Sequence, residues 1–215
     1  MKNIKVKSQD SYHHGDLAAA LISASLMLIA RHGVEGFSIR QAAALVGVAP
    51  SAAYRHFNDK DDLIAAVASQ GFASLAIKME TAMSAARKRH RGIVAKAVAV
   101  FEAQGLAYVR FAVNHPEQFQ TMFGRHGAGS LRPVRGVGAA GQDPHELLKG
   151  GLDELQQVKV LTPAGRKNAE LLVWSVVHGL ASLLISGALM DSGSLDIERV
   201  TLEIVRRLLR GLGTE

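Results

Sequence analysis

Ala43 stands four positions before Gly47, with Val48 next, and few spacings constrain a helical chain more tightly. The small residue lets two helices cross closely, and the glycine lets the backbone take the left-handed conformation that turns one helix into the next; Val48 is expected to be buried behind them. The flanks carry matching signals. Ser38-Ile-Arg-Gln41 reads as a capping box, Ser and Gln satisfying each other's orphan amides, for a helix that must end before Gly47. Ala49 and Pro50 open the next helix, where the missing proline N–H would be unpaired anyway, and it is expected to run to about His56. Upstream, a helix from about Asp16 to His32 can end on Gly33 in a left-handed cap. Three short helices, the last two joined by a tight turn, define a helix-turn-helix head over residues 1–58, with residues 1–14 read as a mobile arm.

The remainder, 59–215, is expected to form a larger helical body. A long helix from Asp59 places Leu63, Val67, Leu75, Met79 and Met83 on one stripe and closes in the basic run Arg87 to Arg91, which complements a helix C-terminus. Further helices are predicted at about Ile93 to Asn114, Pro116 to Phe123, Pro144 to Val160, Pro163 to Met190 and Leu195 to Leu212. Residues 124–143 are too long and glycine-rich for an ordinary connector, and read equally as a mobile functional loop or as disorder. Hydrophobic residues make up 48% of the chain, aromatics only 5%, and there are 5 prolines, so the fold class is all-α and not a sandwich or barrel.

Composition also excludes functions. With no cysteine the chain has no disulfide framework, thiolate zinc site or Cys nucleophile, and a cytoplasmic location fits. Lys2, Lys5 and Lys7 ahead of the run Leu17 to Ala30 imitate a signal peptide, but Asp10, His13, His14 and Asp16 intervene. Leu171 to Met190 is twenty residues without a formal charge, yet Ser175, His178, Ser182 and Ser186 interrupt it, as do small faces at Gly179, Ala181, Gly187 and Ala188. A helix buried by its own core and a second subunit is expected there, and no membrane partner. Gly136-Val-Gly138-Ala-Ala-Gly141 matches a dinucleotide fingerprint by letter but lacks the strand before it and the helix start after it. The nine histidines include no HExxH, so neither enzyme activity, metal nor cofactor is expected.

The helix-turn-helix extends into Val48-Ala-Pro-Ser-Ala-Ala-Tyr54-Arg-His-Phe57 and Asn58-Asp-Lys60-Asp-Asp-Leu63, and Tyr12-His-His-Gly-Asp16 precedes it. This block closely resembles the DNA-binding domain of the TetR family of bacterial transcriptional regulators, and Trp174-Ser-Val-Val-His178-Gly179 resembles the Trp-His-Gly motif of one class of their C-terminal domains. A short helix presented by a turn fits the major groove, where base edges are read while surrounding polar groups clamp phosphates. Arg40 and Arg55 have forked donors able to read guanine or hold phosphate, and Ser51 could touch either. The resemblance implies that Tyr54, His56 and Lys60 hold phosphates. Phe57 is expected in the core. Ala49 departs from the family, where Ser or Thr often caps the helix, and the basic arm is the candidate to compensate. Residues 1–60 carry seven Lys/Arg against four Asp/Glu, half of the chain's net charge of +6, which agrees mildly with DNA as partner.

Two recognition helices about one duplex turn apart require a twofold dimer on a near-palindromic double-stranded operator. The resemblance implies a homodimer through the last two helices, Leu171 to Met190 and the stripe Ile197, Val200, Ile204, Val205 and Leu208, though both could simply close the body's own core. It also implies a small-molecule effector, apolar or aromatic given the residues available. Candidate lining is Phe101, Tyr108 and Phe111 on one helix, Phe119, Met122 and Phe123 on the next, and Trp174 and His178 further on. His178 reads either as a buried, hydrogen-bonded histidine or as part of the pocket wall. Expected overall is a ligand-responsive repressor whose effector moves the helix from Pro116 and the long helix from Asp59; the alternative is a helical small-molecule carrier or membrane-associated protein without DNA binding.

Overall fold

The computed structural model describes residues 17–124, 135–189 and 195–213, and among these the chain forms ten helices and no strand. The basic arm with Lys2, Lys5 and Lys7, the stretch from Tyr12 to Asp16, Arg125, Arg132 and Met190 lie outside the described residues. The chain divides into two compact units between Ile64 and Ala65, a boundary that falls inside a helix.

In the first unit α1 (Leu17–His32) buries Leu21, Ala24, Leu28 and Ile29, and Gly33 ends it at φ 71°, its N–H donating to the Ile29 carbonyl at 2.8 Å. Ser38 caps α2 (Ile39–Val46) by accepting from the Gln41 N–H at 3.3 Å. The reciprocal half of the expected box is replaced: the Ser38 hydroxyl donates to Gln41 Oε1 at 3.0 Å, so side chain meets side chain instead of backbone. Gly47 is left-handed at φ 79°, and the Val48 N–H closes onto the Ala43 carbonyl at 3.0 Å. Ala42 and Ala43 are wholly buried where α2 packs on α1 and α3, whereas Val48 is half-buried, the turn leaving its side chain partly open. The third helix is shorter than expected. α3 is Pro50–Ala53, because the chain tightens into bonds from Arg55 N–H to Ala52 and from His56 N–H to Ala53, at 3.3 and 3.0 Å.

α4 (Lys60–Arg89) opens with the Asp59 carboxylate accepting from the Asp62 N–H at 2.8 Å and continues into the second unit. There α5 (Ile93–Asn114) is central, packing on α6 (Pro116–Phe123), α7 (Pro144–Gln157), α9 (Ala169–Ile185) and α10 (Ile197–Gly213). Phe111, Phe119, Met122, Leu152 and Leu155 are among its fully buried side chains. α7 ends earlier than Val160, where Lys159 turns left-handed at φ 62°. The predicted helix from Pro163 to Met190 is broken in two. α8 is only Pro163–Arg166, capped by Thr162, and Asn168 at φ 58° resets the chain before α9. The half-buried Arg166 guanidinium holds the break, bonding Asp153 of α7 at 2.6 Å and Glu170 of α9 at 2.8 Å. Gly187 at φ 77° then follows the end of α9, whose 17 residues are short of a membrane span. Among the described residues, α4 is the helix long and apolar enough by length and composition to cross a membrane, but its Leu63, Val67, Leu75 and Met79 are buried within the protein.

Residues 135–143, within the glycine-rich stretch, are neither helix nor loose loop. They form a strap on α4: Ser69 Oγ donates to the Arg135 carbonyl at 2.6 Å, and Glu80 accepts from the N–H groups of Ala139 and Ala140 at 2.9 and 3.1 Å. The glycines of the fingerprint-like run have a mechanical reason. A Cβ on Gly136 would stand 1.9 Å from the Ser69 carbonyl oxygen, and one on Gly138 would meet the Glu80 carboxylate at 2.3 Å.

Candidate nucleic-acid interface and ligand cavity

In the head, the α2–α3 turn displays polar side chains around a buried base of Ile39, Ala43, Ala53 and Phe57. Arg40 in the first turn of α2 and Ser51, Tyr54, Arg55 and His56 on and just after α3 are all exposed. Ala49 is the N-cap of α3 with extended backbone and no side-chain cap bond, as its methyl group dictates. Lys60 is partly committed: its ammonium donates to the Glu35 carbonyl at 3.1 Å and sits 5.1 Å from the centre of the Phe37 ring. A lysine has three N–H donors, so two remain for other acceptors.

The second unit holds a cavity of about 330 Å³. Phe72 and Met79 of α4 and Phe123 of α6 form one side, Phe101 and Tyr108 of α5 another, and Val173, Trp174 and Val177 of α9 a third. The strap contributes Arg135 and Gly136, and the start of α7 contributes Asp143, His145 and Leu148. Four of the aromatic candidates, Phe101, Tyr108, Phe123 and Trp174, therefore share this wall. Phe111, Phe119 and Met122 do not border it: they are 2% exposed or less and packed in the core. Helical phase separates them, since Phe101 and Tyr108, seven apart, share a face of α5 and Phe111 is turned about a quarter of a revolution away. Met122 is directed onto Gly71 of α4, where a Cβ would lie 2.6 Å from its Cγ.

His178 stands behind the wall. Its Nδ1 is 2.8 Å from the Tyr108 hydroxyl, which also accepts from Trp174 Nε1 at 3.3 Å. Indole nitrogen only donates, so the Tyr108 oxygen accepts from Trp174, and the tautomer of the imidazole sets which of Tyr108 and His178 donates in the other bond. The ring stacks on Phe119 at 5.3 Å and meets Phe123 edge-on at 4.6 Å. Burial holds the His178 pKa below its ordinary value and raises that of the Tyr108 phenol, keeping both neutral.

Gln104 also borders the cavity, and composition-led reading overlooked it by searching for aromatics. The signal was present: a carboxamide between Phe101 and Tyr108 in a helix otherwise apolar on that face. Met79 was legible only as a member of the α4 stripe, Phe72 was not singled out, and the strap residues had no periodic signal at all.

A helix-turn-helix head with exposed arginines, on a chain whose helical body encloses an apolar cavity, is the arrangement of a DNA-binding transcriptional regulator. Two family models match: Bacterial regulatory proteins, tetR family, over residues 21–67, and Tetracyclin repressor-like, C-terminal domain, over residues 101–210. The chain belongs to the TetR family of transcriptional regulators. Among solved structures it is similar to a protein with unknown function from Rhodococcus sp. RHA1, with 28% identity and a TM-score of 0.73 over 96% of this chain and 100% of that one. A regulatory protein of the tetR family from Rhodococcus RHA1 shares the fold at 18% identity and a TM-score of 0.63, covering 94% of this chain and 99% of its own. The TetR family transcriptional regulator PfmR from Thermus thermophilus does so at 18% identity and a TM-score of 0.60, covering 89% and 98%. No curated protein sequence matches the chain.

Proposed function

We propose that the protein is a ligand-responsive repressor that binds a palindromic operator as a homodimer in the cytoplasm and is released by a small, largely apolar effector. The observation that carries this reading is that α4 lines the cavity through Phe72 and Met79 and begins at Lys60 in the DNA-binding head. Phe72 meets Phe123 of α6 edge-on at 5.3 Å, so an occupant that separates these rings displaces α4 against α6. Release follows only if the effector prefers the DNA-incompetent arrangement, each factor of ten in preference shifting the balance by about 1.4 kcal/mol.

On the DNA side, Arg40 and Arg55 read bases or brace phosphates, Ser51 joins either set, and Tyr54, His56 and Lys60 hold phosphates. For the dimer, α9 offers Leu172, Val176, Gly179 and Leu183 at helical spacing on a face that is exposed or half-exposed. Ile197, Val200, Ile204 and Leu208 of α10 are half-buried and can extend it, while Val205 is buried inside its own protomer. Binding to a defined duplex tests the assignments. Arg40→Ala or Arg55→Ala at a base-reading position should cost about 1–3 kcal/mol and relax sequence preference, whereas Lys60→Ala should weaken all sequences alike and flatten the salt dependence. Variants indistinguishable from wild type in both respects would remove these residues from the interface.

A further inference from the structure

Gln104 is 3% exposed, and neither its Nε2 nor its Oε1 has a hydrogen-bond partner among the described residues. A buried amide left so is costly, and this one borders the cavity. Two other polar groups of the lining are already committed: the Tyr108 hydroxyl to His178 and Trp174, and the Asp143 carboxylate to the Glu146 N–H and, at 3.8 Å, to Arg135. A second feature protects the same side chain. Gly151 lies inside α7, where glycine is unfavourable relative to alanine, and a Cβ there would stand 2.8 Å from Gln104 Oε1. The missing side chain keeps room for the carboxamide.

We infer that the effector carries a neutral head with a hydrogen-bond donor and acceptor side by side, a carboxamide or lactam, and that this head pairs with the side-chain amide of Gln104 while an apolar body fills the rest of the cavity. The inference rests on the reading of the cavity as the effector site. A carboxamide offers both a donor and an acceptor, and a second carboxamide answers both at once. A carboxylate answers only Nε2, faces Oε1 with like polarity and gives up its hydration to an apolar wall. Arg135 does not offset that loss, being largely exposed and already opposite Asp143. The volume is about twice the 150 Å³ or so that holds benzene, room for a ring and a short chain besides the head.

Phenylbutyramide, phenylbutyrate and butylbenzene test this on the full chain, with the emission of Trp174, its single tryptophan and a cavity wall residue, as the readout. Wild type should bind phenylbutyramide about tenfold more tightly than either of the others. Gln104→Leu should abolish that preference while keeping butylbenzene. Gly151→Ala, which must push Oε1 aside, should weaken the amide more than the hydrocarbon, and carries the test alone if Gln104→Leu does not fold. An amide preference that survives both substitutions, or tighter binding of phenylbutyrate, overturns the inference. Butylbenzene binding without any amide preference overturns it while leaving the cavity a ligand site; no saturable binding of any probe overturns the cavity reading as well.

Discussion

His178 is bonded through Nδ1 to the Tyr108 hydroxyl among the Phe119 and Phe123 rings, so acidification puts a charge into an apolar setting. Its pKa lies below the ordinary 6.5 because burial disfavours the imidazolium. The folded state then binds fewer protons than the unfolded one below that value. The stability this histidine contributes is complete above about pH 6.5 and is lost as pH falls toward its folded pKa. His178→Gln should therefore make the fall in Tm between about pH 8 and 5 shallower than in wild type; parallel curves would show that the ring is not held neutral. At Ala49 the backbone already has N-cap geometry, φ −65° and ψ 146°, without a cap. Ala49→Ser should stabilise the protein by about 0.5–1 kcal/mol in denaturant unfolding, and an unchanged midpoint would mean that the α3 amides are satisfied without it.

Among the elements, the strap is the most exposed to a single change. Gly136→Ala forces a Cβ against two backbone atoms of α4, the Ser69 oxygen and the Ala73 nitrogen at 2.6 Å, neither of which can swing away. A loss of about 1–3 kcal/mol is expected in urea unfolding, and a neutral substitution would contradict the strap's seating. Elements whose ends carry local chemistry were legible in the sequence: Gly33, Gly47, Ser38 and the prolines at positions 50, 116 and 144 placed α1, α2, α3, α6 and α7 to within a few residues. The break between α8 and α9 was not, because it is held by Arg166 reaching residues distant in sequence and by Asn168, which has no glycine to announce it. The strap was not legible either, since its glycines answer to α4, some sixty residues earlier. The same division holds at the site. The motif exposes the head residues locally, whereas the cavity wall is assembled from six helices and the strap, and helical phase decides which aromatic faces it.

At the scale of the whole molecule, reading a symmetric operator takes two chains. The unpartnered face of α9 should be covered by a second copy, so Leu183→Glu should shift sedimentation from dimer to monomer and weaken binding to a two-half-site duplex far more than to a single half-site. A variant that stays dimeric would place the interface elsewhere. The central claim is sequence-specific binding to a symmetric operator, and selection of bound duplexes from a random pool at roughly physiological salt, where non-specific binding is weak, tests it most directly. Enrichment of a palindrome with half-sites about one duplex turn apart is expected. A consensus without twofold symmetry, or no enrichment at all, would contradict it.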